Sequence, residues 1–561
     1  MSESLIQNDK RLEWLCANPL VPWTIITLAI FARLGLLLYN RSIWLDEAFI
    51  SHAIAYSPLS NLLIPPLEYT NVVPAGFLLV SRGFTTLFGT HDFVFRLFPF
   101  FCGVASVVLF YALIRNWLSP VAVVVALLLF GFAPVAVYYS VECKPYSCDL
   151  AAAVSLLLLY RRMLATPSSY RRLCLFATVG LVSLFFSFPA VFALAATGSG
   201  AALRLWRSHL KPNIVVLGIW ILAWLTAFGV WYFLLGSPST RESGIAEWLH
   251  RSWADRNAFM PSLLEPAAVM SWLMDKMREL STHPFRLTLF AWPFIAIGAV
   301  HLSARHPEMA VGIIGPLAIC LLASSFGLYP ASGRMILFWI PSVVLLVVEG
   351  IFCLRIGNTN SAWPTRVTQA LLVLLVISIP ITQTYSMTLI HPPFHEEIRD
   401  VLAKVAQNAL PEDKFYIYYW AEPAFRHYAP RYNWPDNTFA ILQNVKNPRT
   451  LHKEGCVKEV DYRRTLNPPR FAHVKDAQFF VGTAPSGPLY REDLARLVGP
   501  HRVWLIYSHS NGRATNAFTR RFVQKHDPDA MVVSADKAWA ILCDFRIDPA
   551  SQNGSSARNG N

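Results

Sequence analysis

Apolar runs of roughly bilayer length recur along the first 390 residues and then stop. A helix rising 1.5 Å per residue needs about 20 apolar residues to cross the hydrocarbon layer. Runs of that order lie at 21–39, 93–114, 120–139, 146–160, 173–187, 188–203, 213–235, 285–303, 309–328, 335–354 and 367–388, which predicts about eleven transmembrane helices. The fifth and sixth are divided only at Ser187-Phe188-Pro189. Two longer polar intervals break the series, at 40–92 and 236–284. The first contains the short amphipathic stretches 59–67 and 75–88, expected as helices lying along the membrane surface. The second mixes Trp248, Arg251, Trp253 and Arg256 and is suited to close over a site.

After His391-Pro392-Pro393 the pattern changes. Amphipathic helices are expected at 396–410, 422–428, 491–497 and 515–526. Strands are expected at 414–420 (KFYIYYW), 478–481, 503–507 and 539–543. Alternating strand and helix predicts a soluble α/β domain over 391–550, and the polar residues 551–561 read as a disordered tail. The fold class is therefore an α-helical polytopic membrane protein, 1–390, with a C-terminal soluble α/β domain. No internal repeat is visible.

Composition agrees. Of 561 residues 54% are hydrophobic and only 15% charged, against about 25% charged in soluble proteins. The formal charge of +13 would suggest nucleic acid in a soluble protein. Here it resides in short loops: Arg115; Arg161, Arg162, Arg171 and Arg172; Arg204, Arg207 and Lys211; Arg305; Arg355 and Arg366. These fall on one side, with Lys10 and Arg11, and that side is expected to be cytoplasmic. No nucleic-acid partner is implied. The other side, extracytoplasmic, takes 40–92, 142–145, 236–284, 329–334 and everything after 389. Glu3, Asp9, Lys10, Arg11 and Glu13 make the start too polar for a cleavable signal, so the first span is expected to remain as an anchor. Nine cysteines show no metal spacing; Cys456 and Cys543 fall in the soluble part, and nothing in the sequence sets their distance.

Candidate chemistry collects at the outer ends of spans. Asp46 and Glu47 follow the first span directly. Carboxylates at a membrane face are costly to desolvate, so they mark either a solvated loop or a base facing lipid-borne substrates. Glu142-Cys143-Lys144-Pro145-Tyr146 is either a snorkelling surface cluster or part of the same cavity. Arg334 starts an outer span end against the charge bias; it either snorkels or offers a planar, bidentate contact to a lipid phosphate. Arg96, four residues after Asp92, reads as half of an (i, i+4) ion pair. No Walker loop, GxSxG elbow, HExxH or dinucleotide fingerprint is present.

In order along the chain, these pieces resemble the GT-C glycosyltransferases. They are similar within that class to bacterial polyprenyl-phosphate-sugar transferases, and more distantly to the protein O-mannosyltransferases and lipid A aminoarabinose transferases. The resemblance rests on Asp46-Glu47, on Gly89 with Arg96, Leu97, Pro99 and Gly103, on Glu142 to Tyr146, on Tyr329, Arg334 and Pro341, and on the soluble domain with its KFYIYYW strand. One departure is Asn71-Val72-Val73-Pro74, where the family often has a basic residue before Pro-Pro. Lys144 or Arg334 would have to cover that phosphate contact.

The resemblance implies an integral membrane enzyme, multi-pass in the plasma (inner) membrane, acting on the extracytoplasmic side. It would move a sugar from an isoprenoid-phosphate donor to an acceptor hydroxyl on protein, lipid or glycan, with inversion. Asp46 and Glu47 would be catalytic, Arg334 and Lys144 would bind donor phosphate, and Glu142, Tyr146, Tyr329 and Arg96 would line the substrate cavity. A divalent metal through Glu47 or Glu142 is left open; no ligand set is legible. The rival reading is a transporter or lipid flippase, which would call for repeats, broken helices and mid-membrane ionisable groups.

Overall fold

The computed structural model describes residues 13–63, 73–236, 245–282, 289–355, 363–393, 396–434, 439–440, 471–472, 478–510 and 512–546. The expected tail at 551–561, Cys456, and Asn71 and Val72 lie outside them. The described residues divide into two compact units. One comprises Met1–Tyr39, Val73–Pro238 and Leu249–Pro392; the other comprises Asn40–Val72, Ser239–Trp248 and Pro393–Asn561.

The first unit is helical, and each of the expected apolar runs forms helix over its described residues. Among the described residues six helices are long and apolar enough to cross a membrane: Leu20–Tyr39, Val94–Ile114, Lys211–Phe233, Pro307–Ser325, Gly333–Phe352 and Pro364–Ile390. The others are shorter or more polar. The 120–139 run splits into Pro120–Gly131 and Pro134–Tyr139, because Pro134 has no amide and its ring clashes with the preceding turn. Arg33, fully buried in the first helix, donates from Nη1 to the Gly131 carbonyl at 2.8 Å and to that of Ala29 at 2.9 Å. A guanidinium thus covers a carbonyl at the break. The division near 187–189 is real: Ser187 is extended and a new helix, Ala190–Arg207, starts after Pro189.

Helices Ala291–Arg305 and Ile340–Phe352 pack backbone to backbone. A Cβ on Gly298 would lie 2.0 Å from the Leu346 carbonyl oxygen, and one on Gly350 would lie 2.0 Å from that of Phe294. Small residues allow this close approach where no hydrophobic force drives helices together. Gly298→Val is therefore expected to force the pair apart and cost about 1–3 kcal/mol or more. A thermal midpoint of the purified protein equal to wild type would contradict it.

In the second unit the described residues form one seven-stranded sheet, its strands numbered in chain order and lying in the order β3-β2-β4-β1-β5-β7-β6. They are β1 Lys414–Ile417, β2 Phe439–Ala440, β3 Phe471–Ala472, β4 Phe479–Val481, β5 Arg502–Ser508, β6 Met531–Ala535 and β7 Ala538–Asp544. β3 to β5 pair parallel, with Phe415 opposite Phe479 and Trp504. β7 and β6 add on antiparallel. Strands buried on both faces carry unbroken apolar runs, as β1 and β5 do. Helices Ile398–Asn408, Glu422–Tyr428, Gly487–Arg496 and Arg513–His526 accompany the sheet. The fully buried Asp413 accepts from Trp504 Nε1 at 3.0 Å and Leu410 N at 2.9 Å, and pairs with Arg502 Nε at 3.0 Å. Cys543 is a free, buried thiol in β7, pushed up to about 12 by burial and by the charge of Asp527.

The 40–56 stretch carries a helix that the sequence pattern does not predict. Leu45–Tyr56 is a helix in the second unit, with Asp46 and Glu47 in its first turn. Its residues are mostly buried all round, so no polar face signalled it in the sequence. The expected helix at 75–88 appears as Ala75–Phe88, and 59–67 is described as helix over Leu59–Leu63.

Candidate active site

The second unit holds the two adjacent carboxylates. They occupy the first turn of Leu45–Tyr56, where unpaired amides and the helix dipole favour negative charge. Glu47 is fully buried and Asp46 is partly exposed. Consecutive helical residues point about 100° apart, so one carboxylate faces inward while its neighbour meets the surface. The segment that leads into this helix, 40–44, is tied to residues of the C-terminal domain. Ser42 donates from N and Oγ to Glu397 Oε2, at 3.2 and 2.7 Å. Ile43 N donates to Tyr428 OH at 2.7 Å, and Arg399 Nη1 to the Asn40 carbonyl at 3.0 Å. Ser51 Oγ lies 3.1 Å from His427 Nδ1. These partners come from Glu397, Ile398–Asn408 and Glu422–Tyr428.

The first unit holds the other expected site residues. Tyr146 begins the helix Tyr146–Ala165. The Arg334 guanidinium lies over its ring, 5.7 Å from the centroid, and the Tyr139 ring meets its edge at 4.9 Å. Tyr329 stacks edge-on against Phe192 at 5.0 Å and donates to the Met335 carbonyl at 2.8 Å. Tyr146, Tyr329 and Arg334 are thus gathered around one turn. Gly333, at φ +53°, supplies the left-handed step just before Arg334. Glu142 and Lys144, both buried, form the tight turn just before Tyr146, with Lys144 N donating to the Glu142 carbonyl at 2.6 Å. Arg96 is buried in the short turn Val94–Arg96 that leads into its helix. Asp92, also buried, lies two residues before that turn.

Two groups of residues were not singled out from the sequence. Lys276 and Glu279, on helix Pro266–Thr282, grip the 329–334 turn: Lys276 Nζ pairs with Glu279 and lies 3.3 Å from Ser332 Oγ, which donates to Glu279 Oε1 at 2.5 Å. A K-x-x-E spacing in a mixed loop carries no signal of its own; only the fold shows that it braces the residue two before Arg334. Asp149, buried three residues past Tyr146, is within electrostatic range of Tyr329.

An apolar cavity of about 270 Å³ lies between helices Tyr170–Phe186, Ala190–Arg207 and Lys211–Gly229, lined by Val191, Leu194, Gly198, Ile221, Trp224 and Phe228 among others. Among the described residues no group of three or more His, Cys, Asp or Glu is arranged to hold a metal ion.

The sequence model of the dolichyl-phosphate-mannose-protein mannosyltransferase family matches residues 72–233. No curated protein matches the chain. The crystal structure of ArnT from Cupriavidus metallidurans bound to undecaprenyl phosphate is similar in fold, with TM-score 0.53 and 12% identity over 92% of this chain and 97% of that one. The same protein in the apo state matches over the same shares, with TM-score 0.50 and 12% identity.

Proposed function

We propose, for a chain that has the fold of the GT-C membrane glycosyltransferases, that it transfers a sugar from an isoprenoid-phosphate donor to an acceptor hydroxyl. Transfer takes place at the extracytoplasmic face of the inner membrane, by a single displacement with inversion. The observation that carries this reading is the end-to-end match to ArnT, whose structure holds undecaprenyl phosphate. The Arg334–Tyr146–Tyr329 cluster supports it from this chain's own residues.

Asp46 removes the proton from the acceptor hydroxyl as it attacks the anomeric carbon. A general base is worth about 10²–10⁴-fold in such a step. Its partial exposure at a helix N-terminus suits that role, and the burial of Glu47 suits a structural one. As the glycosidic C–O bond breaks, the leaving lipid phosphate gains charge. Arg334, aimed by Gly333 and the Lys276–Glu279–Ser332 brace, meets that charge with planar donors. Lys144 is a second cation for it, with Glu142, Tyr146, Tyr329 and Arg96 lining the cavity. The apolar cavity beside Trp224 suits an isoprenoid tail. The proposal covers a hexose or a pentose, and an acceptor on protein, lipid or glycan. A transporter or flippase reading finds less support: Arg33 is a mid-helix charge, but it is engaged with backbone carbonyls.

The reading is tested by mass spectrometry of membrane lipids from cells lacking the protein. A polyprenyl-phosphate sugar should accumulate and should disappear when the wild-type chain is restored. An unchanged lipid profile would refute the donor assignment. The topology has its own test. A reporter active only in the cytoplasm, fused after Asn561, should be silent if eleven spans put 391–561 outside. An active reporter would make the span count wrong by one.

A further inference from the structure

Glu396 stands at the entrance to the C-terminal domain and is almost fully buried. Its carboxylate is shared three ways. Oε1 is bonded to His509 Nδ1. Oε2 accepts from Ser508 Oγ at 3.0 Å and from the backbone amide of Leu45 at 3.3 Å. Leu45 is the first residue of the helix whose second residue is Asp46. That helix has no side-chain cap of its own, because Trp44 occupies the cap position. A carboxylate from 351 residues away therefore answers one of its orphan amides. His509, just past the end of β5, sits at φ +55°, a conformation that costs energy for a residue with a Cβ. The Trp420 ring meets it edge-on at 6.3 Å. The neighbouring Glu397 is fixed as well, its amide donating to the Asp536 carbonyl at 2.9 Å.

We propose that Glu396 and His509 are positioning residues for the carboxylate base: they clamp the N-terminus of the Leu45–Tyr56 helix, and the clamp slackens when His509 loses its proton. The proposal rests on the reading of Asp46 as the base. A base must be held within about half an ångström of its working geometry, and a misplacement near 1 Å can cost about 10²-fold. The charged groups facing His509 are Glu396 from the segment before the domain, Asp46 from the clamped helix and Lys537 from the β6–β7 turn. Burial opposes the imidazolium, but the hydrogen bond and charge of Glu396, with Asp46, outweigh it and hold His509 above its ordinary value. A group whose folded value is raised stabilises fully below its unfolded value, near 6.5, and loses that contribution as pH rises through the folded value. The clamp is thus tight below about pH 6.5 and loosens as pH rises through the raised His509 value.

The test is hydrogen–deuterium exchange of the purified full-length chain, followed in the peptide 41–56. Glu396→Gln and His509→Gln should each speed exchange there about tenfold below the ordinary imidazole value, the loss of one charge-assisted bond. Peptides from β1 and β5 should stay protected. Turnover of the lipid-linked sugar that accumulates in deletion cells should fall, with kcat reduced and KM unchanged, and the alkaline limb of the wild-type pH profile should vanish in His509→Gln. Unchanged exchange in 41–56, or faster exchange with unchanged turnover, would overturn the proposal. Should both variants misfold, wild type alone decides: its 41–56 exchange, corrected for intrinsic pH dependence, should accelerate above the His509 titration, and a flat response would overturn the clamp. Failure of the base assignment reads differently, as an active Asp46→Asn enzyme.

Discussion

Asp46→Asn is expected to remove most transfer while leaving expression, thermal stability and donor binding near those of wild type. Amide and carboxylate have nearly the same shape, so the change deletes the proposed base without opening a cavity. At this partly exposed position in a first helical turn, the dipole contribution that the carboxylate gives up is about 0.3–1 kcal/mol. The loss of general-base catalysis is larger, about 10²–10⁴-fold. Glu47→Gln should act through stability instead, since Glu47 is fully buried. A lowered thermal midpoint with residual turnover per folded molecule is its expected signature. An Asp46→Asn enzyme with more than about a tenth of wild-type turnover would remove Asp46 from the mechanism, and a Glu47→Gln enzyme that is folded yet inactive would transfer the role to its neighbour.

Arg334→Ala is expected to weaken donor use about ten- to a hundred-fold, the roughly 1.5–3 kcal/mol of a charge-assisted bond to phosphate. Acceptor use should change less, because the guanidinium is proposed to contact the donor alone. Arg334→Lys should restore charge without restoring the planar fork, and so rescue only part. The Tyr146 ring under Arg334 strengthens that expectation: a guanidinium stacks on an aromatic face in a way an ammonium does not reproduce. Donor titrations of the two variants check it, and an unchanged apparent affinity in both would rule Arg334 out as a phosphate contact.

The helices were legible because a long apolar run is stable only inside a bilayer or a large core, and in either place it closes its own hydrogen bonds as helix. Even the break at Ser187-Phe188-Pro189 carried its signal in Pro189. The Leu45–Tyr56 helix was not legible, since it is buried on nearly every side and shows neither a polar face nor a capping residue. β6 escaped because only Val533 of its five residues is buried, and β2 and β3 are two residues each. Among the candidate residues, Asp46, Tyr146, Tyr329 and Arg334 were picked out by their place at span ends and by family order. Lys276, Glu279, Glu396 and His509 were not, because each acts on a segment far away in sequence. A charged residue in a polar loop looks the same whether it faces solvent or grips a distant backbone amide.

The most direct measurement is single-turnover transfer by the purified protein in lipid nanodiscs. The donor is the polyprenyl-phosphate sugar recovered from deletion cells, and the acceptor is a membrane extract from the same cells. Wild type should release free polyprenyl phosphate in step with sugar appearing on acceptor, with the anomeric configuration inverted, and Asp46→Asn should release essentially none. Free polyprenyl phosphate formed equally by wild type and Asp46→Asn, or no release at all by wild type, would contradict a glycosyltransferase with Asp46 as its base.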